Sequence, residues 1–410
     1  MHIAIDARMY HIHGGHGRYL RELIKHLEQL DTNNRYTIIL KPEGFSSYTP
    51  ESPNFTKIQT TAHWYTLAEQ TSFLKLLYKI NADLDHFPHW NVPLLYRRPF
   101  IITIHDLILR AYPHSAVSTR NPFIFWAKYL GFRVVLRHAL TRALHIITVS
   151  NTGREQIFEY YPELTTEITP IHLGAPPHVI STERSEWRNL NGEIPRLGSA
   201  GQSLARDDNY FLYIGTAYPH KNLPFLLHAF HQFGIRFGRT HRLILVGARS
   251  IFYNRLLSTD TAKTLLENGD LIYKEAPDDA ALEELYANAT SVICPALIEG
   301  FGLPSLEAAA RGIPVIASRI PAFEEILGDA AIYIDPTKTE SLVAAFLSLR
   351  NEFVIPEAAS AIRDPENLLD SRFRENDNTT FRNALLSRAA QFSWRRTAEK
   401  TYTLYASLRA

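Results

Sequence analysis

Short apolar runs rich in β-branched and aromatic residues alternate along the chain with longer stretches of helical spacing. That order is expected of parallel α/β architecture. In the first half, strands are predicted over 2–6, 36–40, 55–59, 84–87, 100–105, 145–149 and 168–173. Helical spacing fills 17–30, 65–80, 122–140 and 152–160 between them. The alternation pauses over 175–208, a stretch rich in Pro, Ser, Gly and charge with no sustained period. It resumes with strands over 210–214, 242–246, 271–274, 291–294, 314–317 and 331–334, and helices over 223–235, 279–289, 304–311 and 340–349. A polar insertion is expected over 351–378 and a last helix over 381–408.

Two α/β halves of similar size imply two doubly wound, Rossmann-like domains facing each other across a cleft, with ligands at the carboxyl ends of the strands. The expected boundaries are 1–175 for the first domain, 176–208 for a linker with a surface excursion, and 209–393 for the second. A terminal helix over 394–410 is expected to pack back on the first domain. At 410 residues the chain fits two or three domains of roughly 150 residues each.

Charge narrows the function. Lys plus Arg number 43 against 42 Asp plus Glu, a formal net charge of +1, whereas a nucleic-acid binder normally carries a clearly basic domain. The single cysteine, Cys294, excludes an internal disulfide and a multi-cysteine zinc site and fits a reducing compartment. Apolar runs fall short of the ~18 residues that span a bilayer. The chain opens directly into a strand pattern, so a cytoplasmic protein with at most peripheral membrane contact is expected.

The strongest local signal is Glu299-Gly-Phe-Gly-Leu-Pro-Ser-Leu-Glu307 after the strand at 291–294. A glycine-bearing loop feeds a helix expected to begin at Pro304. The amides of Ser305, Leu306 and Glu307 are then expected to be free, at a helix end suited to phosphate. Glu299 and Glu307 flank that end, and carboxylates accept hydrogen bonds from the paired hydroxyls of a ribose or hexose. A capped helix in a tight loop, with acids that only complement the dipole, accounts for the same residues.

The Glu-x7-Glu pattern in this strand–loop–helix context resembles the retaining glycosyltransferases of family 4, which have the GT-B fold. The resemblance also takes in Asp6-Ala-Arg-Met, Gly14-Gly15, Thr103-Ile-His105-Asp106, Thr148-Val-Ser150, Tyr213-Ile-Gly215-Thr216, His220-Lys221-Asn222 and Phe392-Ser-Trp394. It implies that Glu299 contacts the donor sugar, that Glu307 holds the ribose hydroxyls, and that the backbone of Gly300, Phe301, Gly302, Leu303, Ser305 and Leu306 meets sugar and diphosphate. Gly215 and Thr216 join that donor site, and Gly15 and Gly17 face the donor phosphates from the first domain. His105 lies near the reacting sugar carbon by the same resemblance. The family usually carries an arginine where this chain has Thr216, so His220 or Arg249 is expected to compensate.

Lys221 follows a strand and precedes a helix, a place from which its charge can reach a departing diphosphate. Gly15-x-Gly17 lacks the third glycine of the dinucleotide fingerprint, which disfavours a Rossmann dehydrogenase. His11, His13, His16, His86 and His89 match no established metal-ligand spacing, and the resembled enzymes need neither a catalytic metal nor another cofactor. From Leu107 to Arg154 the chain has no Asp or Glu, while Lys128, Arg133 and Arg137 lie among Trp126, Tyr129 and Phe132. Two readings stand for this helix: contact with an anionic membrane or acceptor, or a core-packed helix with a solvated basic face.

The expected activity is transfer of a sugar, with retention, from a nucleotide-diphospho-sugar to a glycan or lipid-linked glycan in polysaccharide synthesis. The resemblance is greatest to bacterial mannosyltransferases that use GDP-mannose. A UDP-sugar donor, a GT-B nucleotide-sugar epimerase and a non-catalytic nucleotide-sugar-binding scaffold remain as alternatives.

Overall fold

The computed structural model of the chain describes residues 1–12, 14–112, 122–175, 209–349 and 378–408. The expected linker over 176–208, nearly all of the 351–378 insertion, and His13 lie outside the described residues. Seven parallel strands form the first sheet: β1 (His2–Asp6), β2 (Arg35–Leu40), β3 (Phe55–Gln59), β4 (Leu84–Phe87), β5 (Phe100–Ile104), β6 (His145–Thr148) and β7 (Ile168–Pro170). Six form the second: β8 (Tyr210–Ile214), β9 (Arg242–Gly247), β10 (Leu271–Glu275), β11 (Ser291–Cys294), β12 (Val315–Ser318) and β13 (Ile332–Ile334).

The strand orders are β3-β2-β1-β4-β5-β6-β7 and β10-β9-β8-β11-β12-β13. Each reverses once, at β1/β4 and at β8/β11, and a doubly wound sheet opens its ligand crevice beside such a reversal. Register fixes which strand ends meet there. Ile5 of β1 pairs with Ile38 on one side and with His86 of β4 on the other, so Asp6 and the residues after Phe87 emerge together.

The helices that position the cleft are α1 (Gly15–Leu30), α2 (Pro122–Arg142), α3 (Asn151–Tyr160), α4 (Leu223–Phe237), α5 (Leu303–Ala310), α6 (Pro321–Leu327), α7 (Asn378–Ala389) and α8 (Trp394–Ser407). In α1, Tyr19, Leu20, Leu23, Ile24 and Leu27 make one buried stripe at the spacing that an amphipathic helix needs. α8 packs against α1, and its Tyr405 hydroxyl lies 2.6 Å from Nδ1 of the buried His86. The crossing into α8 is tight: a Cβ on Gly174 would sit 2.0 Å from the Trp394 amide nitrogen.

Several features differ from the expected elements, among them short helices at Pro42–Ser47 and Ile108–Ala111. The single last helix is two, α7 and α8, broken where Ala175 bridges Ser393 and where Ser393 caps α8 by accepting the Arg396 amide. Short helices at Ile251–Leu257 and Asp260–Glu267 stand between β9 and β10, each started by a local cap, Ser250 or Thr259. Helix α6 starts at Pro321, behind β12.

Helix α6 joins the two halves through one carboxylate. Glu325 accepts from the Asn151 amide (2.6 Å) and side chain (2.9 Å) and from the Thr152 amide and hydroxyl (both 2.8 Å) at the start of α3. Nε2 of His172 lies 2.7 Å from the same carboxylate. Burial raises the Glu325 pKa, but the hydrogen bonds from His172, Thr152 and Asn151 outweigh it and hold the carboxyl down to about 2.

Candidate active site

The second domain presents two loops to the cleft. One follows β11 and enters α5; the other follows β8 and contains the short turn Pro219–Lys221. They are tied together by the Leu297 amide, which donates to the His220 carbonyl at 2.8 Å. At their meeting point Lys221 Nζ is ion-paired with Glu299, both largely withdrawn from solvent. Glu307, one turn into α5, is buried, and its Oε2 accepts the Tyr286 hydroxyl at 2.7 Å.

Backbone conformation makes the approach possible. Gly302 has φ +86°, and the Phe323 ring would lie 2.6 Å from any Cβ there, so both the turn and the space require glycine. Gly300 faces the first domain. A Cβ on it would lie 2.2 Å from the His105 carbonyl oxygen, and its own carbonyl accepts the Ser150 hydroxyl at 2.9 Å. Phe301 is buried behind the loop, against His172 and Phe392.

Helix α5 corrects one expectation. It begins at Leu303, not Pro304, and the amides of Ser305 (3.0 Å) and Leu306 (3.3 Å) both donate to the Gly302 carbonyl. The Ser305 hydroxyl also donates there, at 2.7 Å. Ser305 and Leu306 therefore shape the loop with their amides, and the helix end offered to an anion lies at Gly302–Leu303.

The first domain supplies the opposite wall. Gly15 opens α1, and a Cβ on it would be 3.7 Å from Leu303 Cδ1, so the starts of α1 and α5 approach each other across the cleft. Gly17 is required for another reason: a Cβ there would meet the Ile12 carbonyl at 1.9 Å. His105 follows β5, its ring 4.5 Å from that of His16 and 4.9 Å from that of Tyr19. Nε2 lies 3.1 Å from the Pro88 carbonyl, which can only accept, so that nitrogen carries the proton. Burial, then the neighbouring His16 and His89, lower the His105 pKa well below the usual histidine range and leave the ring neutral.

Beside it lies a cavity lined by Asp6, Arg8, His16, Trp64, His89 and Asn91. The buried Arg8 guanidinium bridges Asp6 (2.7 Å) and Glu69 (2.6 Å) and stacks 3.7 Å above the Phe73 ring. Asn91 donates to Glu69 at 2.6 Å. Burial raises the Glu69 pKa against the opposing pull of Arg8. This polar floor was not anticipated from the sequence, because Glu69 and Asn91 reach Arg8 only through the fold.

Arg18 is the other residue missed. It reaches from α1 across the cleft to an ion pair with Glu307. A signal was present: a cation in the first turns of a helix opposes the dipole, and α1 has no acid there to balance it. Gly215 keeps φ +153°, and the Thr216 carbonyl accepts the Tyr213 hydroxyl at 2.6 Å. The two residues expected to replace an arginine at Thr216 are differently engaged. Burial, aided by Lys221, lowers the His220 pKa to about 4, so the ring is neutral near pH 7. Arg249 is exposed and donates to Asn254 at 3.0 Å.

Lys128, Arg133 and Arg137 belong to a different surface. They are exposed on α2, whose other face buries Phe125, Tyr129, Phe132 and Leu136. The core-packed reading accounts for that buried face. Phe132 packs on Trp90, but Trp126, Leu130 and Val134 stay 51%, 63% and 51% exposed beside the basic residues. Arg137 pairs with Glu163 at 3.1 Å. Among the described residues, no group of three or more His, Cys, Asp or Glu side chains could hold a metal ion, and no helix is long and apolar enough to cross a membrane.

Two doubly wound parallel sheets, with a carboxylate-flanked glycine loop on one facing the glycine loop of the other, define the GT-B glycosyltransferase architecture. Comparison with known proteins agrees. The family model for Glycosyl transferases group 1 matches residues 199–358, and that for Glycosyltransferase Family 4 matches residues 13–178. The chain belongs to the family 4 glycosyltransferases. It is 27% identical to the O-antigen chain mannosyltransferase RfbU of Salmonella typhimurium, over 72% of each protein. It is 28% identical to the O-antigen chain mannosyltransferase B of Escherichia coli, over 78% of this chain and 73% of that one. Sucrose-phosphate synthase from Thermosynechococcus elongatus superposes with a TM-score of 0.70 at 18% identity, covering 100% of this chain and 99% of the other.

Proposed function

We propose that the chain transfers mannose from GDP-mannose, with retention, to a glycan or lipid-linked glycan acceptor in polysaccharide synthesis. The observation that carries this reading is the pair of carboxylates, Glu299 and Glu307, set on either side of the Gly302–Leu303 helix start, with Lys221 against Glu299. Glu307, held by Tyr286, takes the ribose hydroxyls. Glu299 takes sugar hydroxyls and Lys221 offsets charge on the departing diphosphate, a stabilisation that grows as the bond breaks. The mannosyltransferase relatives support the sugar and, by analogy, the donor.

The acceptor side is assigned to the first domain. Its Asp6–Arg8–Glu69–Asn91 floor offers carboxylates already committed to a guanidinium, which suits neutral hydroxyl donors better than another cation. Neutral His105, between the two walls, can accept a hydrogen bond at Nδ1 without adding positive charge beside an oxocarbenium-like sugar. No further cofactor is assigned. The exposed basic and apolar face of α2 fits peripheral contact with anionic lipid, as a lipid-linked acceptor requires. Thermal-shift comparison of GDP, UDP and ADP, with and without their sugars, tests the donor. GDP and GDP-mannose are expected to stabilise the chain most. A larger shift with UDP-sugars would replace the donor and keep the site.

A further inference from the structure

Both cleft carboxylates of the second domain already hold a cation, and the two cations come from different domains. Lys221 is local to Glu299, whereas Arg18 reaches Glu307 from α1 and is still 34% exposed at its side chain. A ribose diol donates to a carboxylate and so competes with the guanidinium for Glu307. The displaced guanidinium has a second partner close by. The starts of α1 and α5 approach where Gly15 faces Leu303, one helical turn from Glu307, and this is where a diphosphate meets helix amides. A planar guanidinium matches phosphate oxygens better than it matches the single oxygen of a carboxylate whose other oxygen is taken by Tyr286.

The charge balance points the same way. A diphosphate brings about two negative charges to a site in which Lys221 is already paired. Position 216, where the resembled family usually carries an arginine, holds an uncharged threonine, and Arg249 donates to Asn254. We propose that Arg18 exchanges partners during turnover, holding Glu307 when no nucleotide is bound and passing to the donor diphosphate when the ribose takes that carboxylate. This rests on the reading of Glu307 as the ribose-binding group. Arg18 thereby supplies from the first domain the cation missing at Thr216, and couples donor binding to closure of the cleft.

The exchange predicts effects of opposite sign from one substitution. In Arg18→Gln a bare nucleoside gains Glu307 without competition, so guanosine binds about two- to fivefold more tightly, the range of a partly exposed ion pair. GDP loses a charged contact and binds about tenfold more weakly or worse. Arg18→Lys, which keeps the charge but not the planar fork, holds GDP more tightly than Arg18→Gln and less tightly than wild type. Ligand-detected NMR titrations of guanosine and GDP measure both, with uridine and UDP used instead if UDP gives the larger thermal shift. Glu307→Gln serves as the control, because it must weaken the nucleoside if that carboxylate holds the ribose. If it does not, the ribose assignment fails. If it does, and Arg18→Gln either leaves nucleoside affinity unchanged or lower, or leaves diphosphate affinity intact, the exchange is overturned while the ribose site stands.

Discussion

Gly300→Ala tests whether the cleft works by close approach of its two walls. In the structure a Cβ at position 300 lies 2.2 Å from the His105 carbonyl oxygen and 2.9 Å from Asp106 Cβ. An ordinary contact needs 3.4 Å or more, so one wall must withdraw by about 1 Å. Misplacement of that size costs about 100-fold in a positioned reaction. The variant is therefore expected to lose about 100-fold in kcat with a saturating donor. Affinity for the bare nucleoside should change less than about threefold, because Glu307 and Tyr286 lie on one side of the cleft only. Its thermal midpoint should stay near that of wild type, since opening the cleft relieves the clash without touching either sheet. The assay is donor turnover beside titration of the bare nucleoside. A folded Gly300→Ala protein with kcat within about threefold of wild type would refute the argument that closure at Gly300 and His105 is needed.

Lys221→Ala should lower kcat more than it raises the donor KM, since its charge matters most as the diphosphate leaves; equal kcat at saturating donor contradicts that role. Glu325→Gln should destabilise the domain contact at neutral pH, as read by thermal midpoint. The Glu325 carboxyl lies below its ordinary value of 4.5, so its stabilisation is complete above that pH and fades as pH falls towards about 2. The gap between wild type and variant should thus be constant from pH 7 to 5 and narrow only below about 4.5; a gap that narrows on raising the pH refutes it. Vesicles containing anionic lipid should carry the wild-type protein in flotation at low salt and release it when Lys128, Arg133 and Arg137 become Ser, at about 1 kcal/mol for each charge. Wild-type protein that stays in the soluble fraction at low salt sinks the membrane assignment.

Strands were legible because a parallel sheet buries both faces, and in runs such as Phe100–Ile104 only Thr103 interrupts the apolar pattern. The loop at 299–307 was legible because its glycines and acids are consecutive. The break between α7 and α8 carries neither Gly nor Pro. It is set by the crossing at Gly174 and Ala175, more than two hundred residues earlier in the chain, and its one local mark is Ser393, the cap at the edge of the expected 394–410 helix. Ser250 and Thr259 start short helices through caps that are visible only once the turn is known to be there. Arg18 and Glu307 are 289 residues apart and meet only because two domains face each other, and the same holds for Glu325 with Asn151 and Thr152. Contacts within one strand–loop–helix unit can be read from sequence, whereas contacts across the cleft require the fold.

The central claim is that this cleft forms a new glycosidic bond from a nucleotide-linked mannose. GDP-mannose labelled with 13C at C1 of the sugar, incubated with the chain and a lipid-linked glycan acceptor, tests it most directly by NMR of the product. The account predicts a new anomeric signal in the α configuration of the donor, growing with GDP release and lost in Glu299→Ala and Lys221→Ala. A β-configured product would contradict retention, and transfer from a UDP-sugar alone would contradict the donor. GDP release with no new glycosidic signal in any acceptor fraction would contradict the claim that the cleft is a mannosyltransferase site.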